Sequence, residues 1–403
     1  MNPNRIGESV TPELSAGSRQ VAPNCDWSRS GQPSSTNDRS SLSRETAAVT
    51  APDVDRLSPA DDILDRAPSN PSQPADSEKS TDQTSARLYG VFREYGCSTM
   101  AYATLQPGLH YFETCGGYLA YDSAMGVTFV LGDPIGPPEN YPQMINQFLQ
   151  AFPQSMFCQI SRPTAQILAN RGWLVNDVGS DMELKLADYE FTGPKKAKLR
   201  QAANKIEREG FRIEELDSSK VDRVALEALC SSWIEKKSVD HEARFLVRPL
   251  SYTHEPGVRK FYLFDRNDQL VAFVAFDPLC LGGQELGYSP SIKRRSEHAP
   301  VGAEEAITKF AIEQFRAEGM EFLRLGLLPL YDIQKSEFRD AYPLRKILQW
   351  VYRYGNHWVY NFQGLADFKH RYRGELTKTY LASHQRWGNA LRMIALMRVC
   401  RFF

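Results

Sequence analysis

Phe261-Tyr-Leu-Phe264, Arg266-Asn-Asp268, Leu270-Val-Ala-Phe-Val-Ala-Phe276 and Glu285-Leu-Gly-Tyr-Ser289 follow one another in the second half of a 403-residue chain. Two apolar runs, β-branched or aromatic and separated by turn formers, predict a β-hairpin, and Glu285–Ser289 predicts a third strand. The period then changes. Ala303, Ala306, Ile307, Phe310, Ala311 and Phe315 recur at the spacing of one helix face. Gly319 ends that helix, and Phe322-Leu-Arg-Leu-Gly-Leu327 returns to strand.

The order hairpin, strand, helix, strand is similar to the core of the Gcn5-related N-acetyltransferase fold. In that fold an acyl donor lies where two central strands splay apart. Acetyl-CoA enzymes place a glycine-rich loop before the central helix, so that backbone N–H groups hold a pyrophosphate. Pro290–Gly302 is expected to be that loop. It holds one glycine, two prolines and the consecutive cations Lys293-Arg294-Arg295, which argues against acetyl-CoA and for another anionic donor.

Length allows two domains, or one domain of two similar halves. Residues 1–86 are rich in Ser, Pro, Asp, Asn and Thr and carry 13 acidic against 8 basic side chains. Such a segment cannot bury enough apolar surface to offset its ordering entropy and is expected to be disordered. It contains no signal-peptide hydrophobic region. The whole chain is formally −1, so the remainder is net basic. The seven cysteines, Cys25, Cys97, Cys115, Cys158, Cys230, Cys280 and Cys400, show no Cys-x-x-Cys spacing. That points to a reducing cytoplasm and no structural zinc. No stretch approaches the ~20 apolar residues of a membrane span, so a soluble or at most peripheral protein is expected, at the inner face of a membrane if at any.

Ordered structure is expected from about Leu88. Leu109–Thr114 and Tyr118–Tyr121 flank Cys115-Gly-Gly117 as a hairpin. Val127–Leu131 is a strand running into the turn Gly132-Asp-Pro-Ile-Gly136. A helix (Tyr141–Phe152), a strand (Met156–Ile160), a helix (Pro163–Asn170) and strands at Trp173–Val175 and Met182–Leu186 complete a first α/β half, 87–190. The second half, 191–382, repeats the rhythm, which suggests tandem duplication, although no residue-level repeat is visible.

A basic helix opens the second half. Leu199, Ala202, Ala203 and Ile206 form its buried stripe, with Lys198, Arg200, Lys205 and Arg208 on the other side and Lys195 and Lys196 at its start. This is either a solvated, salt-bridged face or a phosphate-binding helix suited to a tRNA backbone. Phe362–Arg373 mixes cations with aromatics, a combination that stacks on bases or packs in a core. The tail, 383–403, is an apolar and arginine-rich helix that either docks on the protein's own core or lies on a membrane surface.

Five local patterns occur in order: Leu131-Gly-Asp-Pro-Ile-Gly136; Leu199-Arg200 with Asn204 and Gly210-Phe211; Ser232-Trp233 with Lys237, Glu242 and Phe245; Leu325-Gly-Leu-Leu-Pro-Leu330; and Phe368-Lys-His-Arg-Tyr372 with Tyr380-Leu381. Together they resemble the catalytic domain of bacterial phosphatidylglycerol lysyltransferases, the multiple peptide resistance factors, over about Leu88–Ala382. The resemblance implies tandem acetyltransferase-like halves with a tunnel between them. Aminoacyl-tRNA enters from one side and a lipid hydroxyl from the other, with no metal or coenzyme. It implies an enzyme, and one expected to depart from the typical member in lacking the multi-span flippase domain. The chain departs from the family at Gly374 and Leu376, where Pro and Trp are usual, and at Val301-Gly-Ala303, which replaces an aspartate-containing helix start. Related members modify other acceptors, including sterols and small amines.

An aminoacyl ester is already activated. The enzyme must position it, accept a proton from the attacking group and stabilise an oxyanion. The candidate catalytic residues are Asp133, which binds the donor's α-amino group, acts as base or merely caps its turn; His241, a base near neutral pH or an exposed loop residue; and Glu285 and Tyr288 on the central strand, Tyr288 being an oxyanion donor or a core residue. Candidate substrate and tRNA contacts are Gly132, Lys198, Arg200, Lys205, Trp233, Arg294, Arg295, Lys369 and Arg371, with His298 lining the donor loop. The competing functions are a CoA-dependent N-acyltransferase on a small amine and a non-catalytic tRNA or membrane-surface module.

Overall fold

The computed structural model describes residues 75–235, 242–355, 360–384 and 389–402. Of the disorder expected for residues 1–86, the part over 1–74 lies outside them, as does the role expected of His241.

The first half opens with α1 (Ala75–Tyr95), then β1 (His110–Thr114), β2 (Gly117–Ala124), β3 (Val127–Leu131), α2 (Tyr141–Ala151), β4 (Ser155–Ile160), α3 (Arg162–Asn170) and β5 (Leu174–Lys185). The second runs α4 (Ala197–Arg208), β6 (Arg212–Glu215), α5 (Arg223–Glu235), β7 (Arg259–Phe264), β8 (Leu270–Leu281), β9 (Gln284–Arg295), α6 (Ala303–Ala317), β10 (Phe322–Pro329), α7 (Tyr342–Tyr354), α8 (Phe362–His370), β11 (Glu375–Ser383) and α9 (Asn389–Val399). Helix α1 starts inside the stretch expected to lack structure. In its later turns Leu88 and Phe92 enter the core.

All the described strands join one 11-stranded sheet of order β1-β2-β3-β4-β11-β5-β10-β9-β8-β7-β6. Each half contains one parallel pair, β3 with β4 and β9 with β10. The halves exchange their last strands. β5, which ends the first half, pairs antiparallel with β10 of the second. β11, which ends the second, lies antiparallel between β4 and β5. The exchange closes the two mixed segments into a single sheet.

Helices cover both faces of the sheet. β8 is buried along both faces, which explains its unbroken apolar run. On α6, Ala303, Ala306, Ile307, Ala311, Ile312 and Phe315 are buried against β7 and β8. Each of the larger side chains contributes ~1.5–3 kcal/mol by leaving water. Cys115 and Gly116, both at positive φ, form the two-residue turn between β1 and β2.

A second expectation is corrected. Pro290–Arg295 is not a loop: β9 continues to Arg295 in register with β8. Pro290 is accommodated at a register shift opposite Phe276, the kind of bulge where a sheet tolerates proline. Only Ser296–Gly302 remains as loop before α6. The C-terminal helix α9 docks on the protein itself, through Ala395, Leu396 and Val399 in the core shared with α1 and α7.

Candidate functional site

Strands β9 and β10 pair only at Gly287–Phe322 and Tyr288–Leu323. Beyond these positions β9 follows β8 and β10 follows β5, so the two parallel strands part and leave a wedge. The close approach at its apex requires Gly287: a Cβ there would lie 2.1 Å from the carbonyl oxygen of Phe322. Within the wedge β10 shifts register between Arg324 and Gly326. Gly326 has φ +78, a left-handed conformation that favours glycine.

Polar side chains from four separate segments converge on Gly326. Lys369, near the end of α8, is buried and donates from Nζ to the carbonyl of Leu327 at 2.7 Å. From the point a Cβ on Gly326 would occupy, Lys369 Nζ is 3.5 Å away, and Ser289 Oγ and Thr99 Cγ2 are each 3.9 Å away. Asp181 lies on β5 directly opposite Leu327. It hydrogen-bonds Thr99, while its buried Oδ1 has no hydrogen-bond partner. The loop carrying Thr99 is held by Arg324, which donates to the Cys97 carbonyl and to Glu183.

Burial pushes the Lys369 ammonium down to about 7, the nearby charge of Lys293 adds to that, and Asp181 opposes it. Burial also pushes Lys293 down, against Glu304 and Glu305. Lys293 Nζ sits 4.1 Å above the ring of Phe368, the neighbour of Lys369. For Asp181 burial raises the carboxyl; Thr99, Lys369 and Arg324 pull the other way. The wedge therefore combines an amine that titrates near neutrality, a carboxyl group with an oxygen that has no hydrogen-bond partner, two hydroxyl side chains and a second amine. Such a set can bind a substrate ammonium group and carry a proton.

The candidate residues read from the sequence divide into three groups. Lys369 is at the centre of the wedge. Gly132 and Asp133 are in its neighbourhood. Gly132, at φ +69, packs under Met100 of the Thr99 loop. Asp133 is buried and accepts from the Ser161 backbone N–H at 2.9 Å, holding the start of α3; the charge of Asp181 adds to the burial that raises its carboxyl.

Glu285 and Tyr288 lie at the paired side of the split, not inside it. The Tyr288 hydroxyl donates to Glu285 at 2.8 Å, and its ring stacks on Phe315 at 4.5 Å. Burial pushes the phenol far up. Glu285 also pairs with Arg93. Arg294 is buried, lies 3.8 Å over the Trp233 ring and binds Glu242 at 2.7 Å. Arg295 reaches Glu304 at 3.9 Å and Arg371 pairs with Glu305. His298 is exposed in the loop before α6.

On α4, Arg200 donates to the carbonyls of Phe191 and Gly193, and Lys205 faces Glu209 at 3.8 Å. Lys198 and Arg208 are exposed. Thr99, Asp181, Ser289 and Lys293 were missed as site residues. Lys293 lies in the cation run, Ser289 at the end of the strand Glu285–Ser289 and Gly326 in the motif Leu325–Leu330; Thr99 and Asp181 have no local signal.

Among the described residues no group of three or more His, Cys, Asp or Glu side chains is placed to hold a metal ion, and no helix is long and apolar enough to cross a membrane.

Residues 90–383 match the family described as phosphatidylglycerol lysyltransferase, C-terminal. The chain is 26% identical over 276 residues to phosphatidylglycerol lysyltransferase of Bacillus subtilis, covering 67% of this chain and 31% of that protein. It is 24% identical over 309 residues to the lysylphosphatidylglycerol biosynthesis bifunctional protein LysX of Mycobacterium marinum, covering 71% and 26%. The chain thus spans about a third or less of the length of these relatives. Two solved structures share the fold. One is L-PGS from Bacillus licheniformis, with TM-score 0.66, 22% identity, and 78% of this chain and 96% of that one covered. The other is the C-terminal domain of a putative lysylphosphatidylglycerol synthetase from Agrobacterium fabrum, with TM-score 0.67, 21% identity and 80% and 98% covered.

Proposed function

Because the chain belongs to the phosphatidylglycerol lysyltransferase C-terminal family, we propose that it moves an aminoacyl group from aminoacyl-tRNA to the hydroxyl of a lipid, with lysine and phosphatidylglycerol the first pair to test. The observation that carries the reading is the Lys369 amine, poised near neutrality beside the free oxygen of Asp181 in the β9–β10 wedge.

In this reading Asp181 Oδ1 accepts a hydrogen bond from the α-ammonium of the aminoacyl group. Neutral Lys369 takes the proton of the acceptor hydroxyl as its oxygen attacks the ester carbonyl. Lys293 and the Ser289 hydroxyl stabilise the oxyanion. When the bond to the terminal ribose oxygen of the tRNA breaks, Lys369 returns the proton to that oxygen. Positioning supplies ~7–11 kcal/mol of the barrier, and donors aimed at the oxyanion a few kcal/mol more. The exposed cations of α4, Lys198 and Arg208, would grip the tRNA backbone.

The CoA-dependent alternative is disfavoured by the start of α6. Glu304 and Glu305 occupy its first turn, where a bound pyrophosphate would need the positive end of the helix unopposed.

The experiment is incubation of the protein with total radiolabelled aminoacyl-tRNA and phosphatidylglycerol. Label entering the organic phase, and abolished by ribonuclease treatment of the tRNA beforehand, is the expected result. Absence of transfer with every charged tRNA, while CoA binds, would replace this reading by the CoA-dependent one.

A further inference from the structure

Helix α7 presents two unlike faces. Leu344 and Leu348 are buried in the core shared with α1 and α9. The opposite face exposes Ile347 at 46%, Trp350 at 61% and Tyr354 at 59%, with Tyr342 at 59% at its start. Lys346 and Arg353 are exposed on the same side. The helix carries no Asp or Glu, and among the described residues neither Lys346 nor Arg353 makes an ion pair. An exposed tryptophan and isoleucine are unfavourable in water and mark an interaction surface. The combination of indole, phenol and long cationic side chains on one helix face matches the boundary of an anionic bilayer, where amphipathic rings sit at headgroup level and Lys and Arg meet lipid phosphates.

The helix is also linked to the wedge. The Tyr352 ring meets that of Tyr331 at 6.3 Å, and Tyr331 meets His370 at 4.6 Å. His370 follows Lys369 directly, and Gln363 of α8 donates to the Tyr352 carbonyl at 3.2 Å. A bilayer lying against α7 would thus lie against the helix that abuts α8.

We infer that the outer face of α7 is a membrane-docking surface, seating the protein on an anionic lipid bilayer through Ile347, Trp350 and Tyr354, with Lys346 and Arg353 on headgroup phosphates. The choice of a bilayer as occupant rests on the lipid-acceptor reading above.

The test is co-sedimentation of the full chain with phosphatidylcholine vesicles that contain or lack phosphatidylglycerol. Three proteins are compared: wild type, the double variant Ile347→Ser with Trp350→Ser, and the double variant Lys346→Gln with Arg353→Gln. Because these side chains are exposed, the variants should keep the wild-type melting temperature. The wild type should bind the anionic vesicles. Loss of the two apolar groups should weaken binding by at least about ten-fold, and each lost cation by about five-fold at low salt. All three proteins should retard tRNA equally on a gel. Unchanged vesicle binding by both variants, or no binding by the wild type, overturns the inference. So does a loss of tRNA retardation with vesicle binding intact, which would make α7 an RNA surface.

Transfer to phosphatidylglycerol dispersed in detergent separates this inference from the reading it rests on. Variants that transfer normally in detergent but poorly on vesicles support docking through α7. A wild type that binds vesicles through α7 yet labels no lipid in either form removes the lipid-acceptor reading and leaves the docking surface standing.

Discussion

Replacing Lys369 with methionine should make the protein more stable in a pH-dependent way. Lys369 is 6% exposed, and its ammonium titrates at about 7 instead of 10.5. Below pH 7 both folded and unfolded chains carry the proton, and the full cost of burying the charge falls on the folded state. Between 7 and 10.5 the unfolded chain holds more protons, so wild-type stability rises with pH; above 10.5 the cost is gone. A shift of this size corresponds to ~5 kcal/mol at pH 6 and ~2 kcal/mol at pH 9. The hydrogen bond to the Leu327 carbonyl is lost in the variant, which takes back ~1–2 kcal/mol. Lys369→Met should therefore exceed the wild type by ~3 kcal/mol at pH 6. The two should be nearly equal at pH 9. Urea denaturation at the two pH values measures both differences. A variant destabilised by the same amount at both would show that Lys369 keeps an ordinary lysine titration, and the argument for a neutral amine in the wedge would collapse.

Four further outcomes follow from the geometry. Asp181→Asn keeps the shape but removes the carboxylate acceptor proposed for the substrate ammonium, and should lower the transfer rate by about 10–100-fold in the label-transfer assay. Gly287→Ala forces a Cβ onto the Phe322 carbonyl and should cost ~3 kcal/mol or more, read as a lowered urea midpoint. Arg294→Gln leaves Glu242 without its guanidinium partner and should cost ~2–3 kcal/mol without altering tRNA retardation. By contrast, Lys198→Glu with Arg208→Glu should weaken tRNA binding and flatten its salt dependence without altering stability.

The repeating units were legible because their signals are local. The stripe Ala303–Phe315 has the period of a helix, and the runs around Phe261–Phe276 have the composition of strands, so the second half could be assembled in order. What closes the molecule was not local. β11, Glu375-Leu-Thr-Lys-Thr-Tyr-Leu-Ala-Ser383, has an exposed polar start and gains its place only from pairing with β4 and β5, some two hundred residues earlier. Pro290 and the three cations after it have the composition of a loop, yet the register with β8 carries the strand through them.

The same distinction divides the site. Lys369 was visible in a motif on one helix. Asp181 sits in the middle of an otherwise structural strand, and only the exchange of β5 into the second half brings it beside Leu327. Tyr288 and Glu285 lie one step from the split, and the direction in which the strand turns its side chains separates them from the wedge. Trp233 and Arg294 resemble nucleic-acid contacts in composition but meet each other.

The central claim is that the wedge around Lys369 and Asp181 is where the acyl group is transferred. Its most direct test is the single-turnover rate of label transfer from charged tRNA to phosphatidylglycerol, measured across pH for the wild type, Lys369→Met and Tyr288→Phe. The account predicts a wild-type rate that rises through an apparent pKa near 7, loss of at least ~100-fold in Lys369→Met, and a Tyr288→Phe rate within a few-fold of wild type. Transfer by Lys369→Met at the wild-type rate, or its loss in Tyr288→Phe alone, would place the chemistry elsewhere.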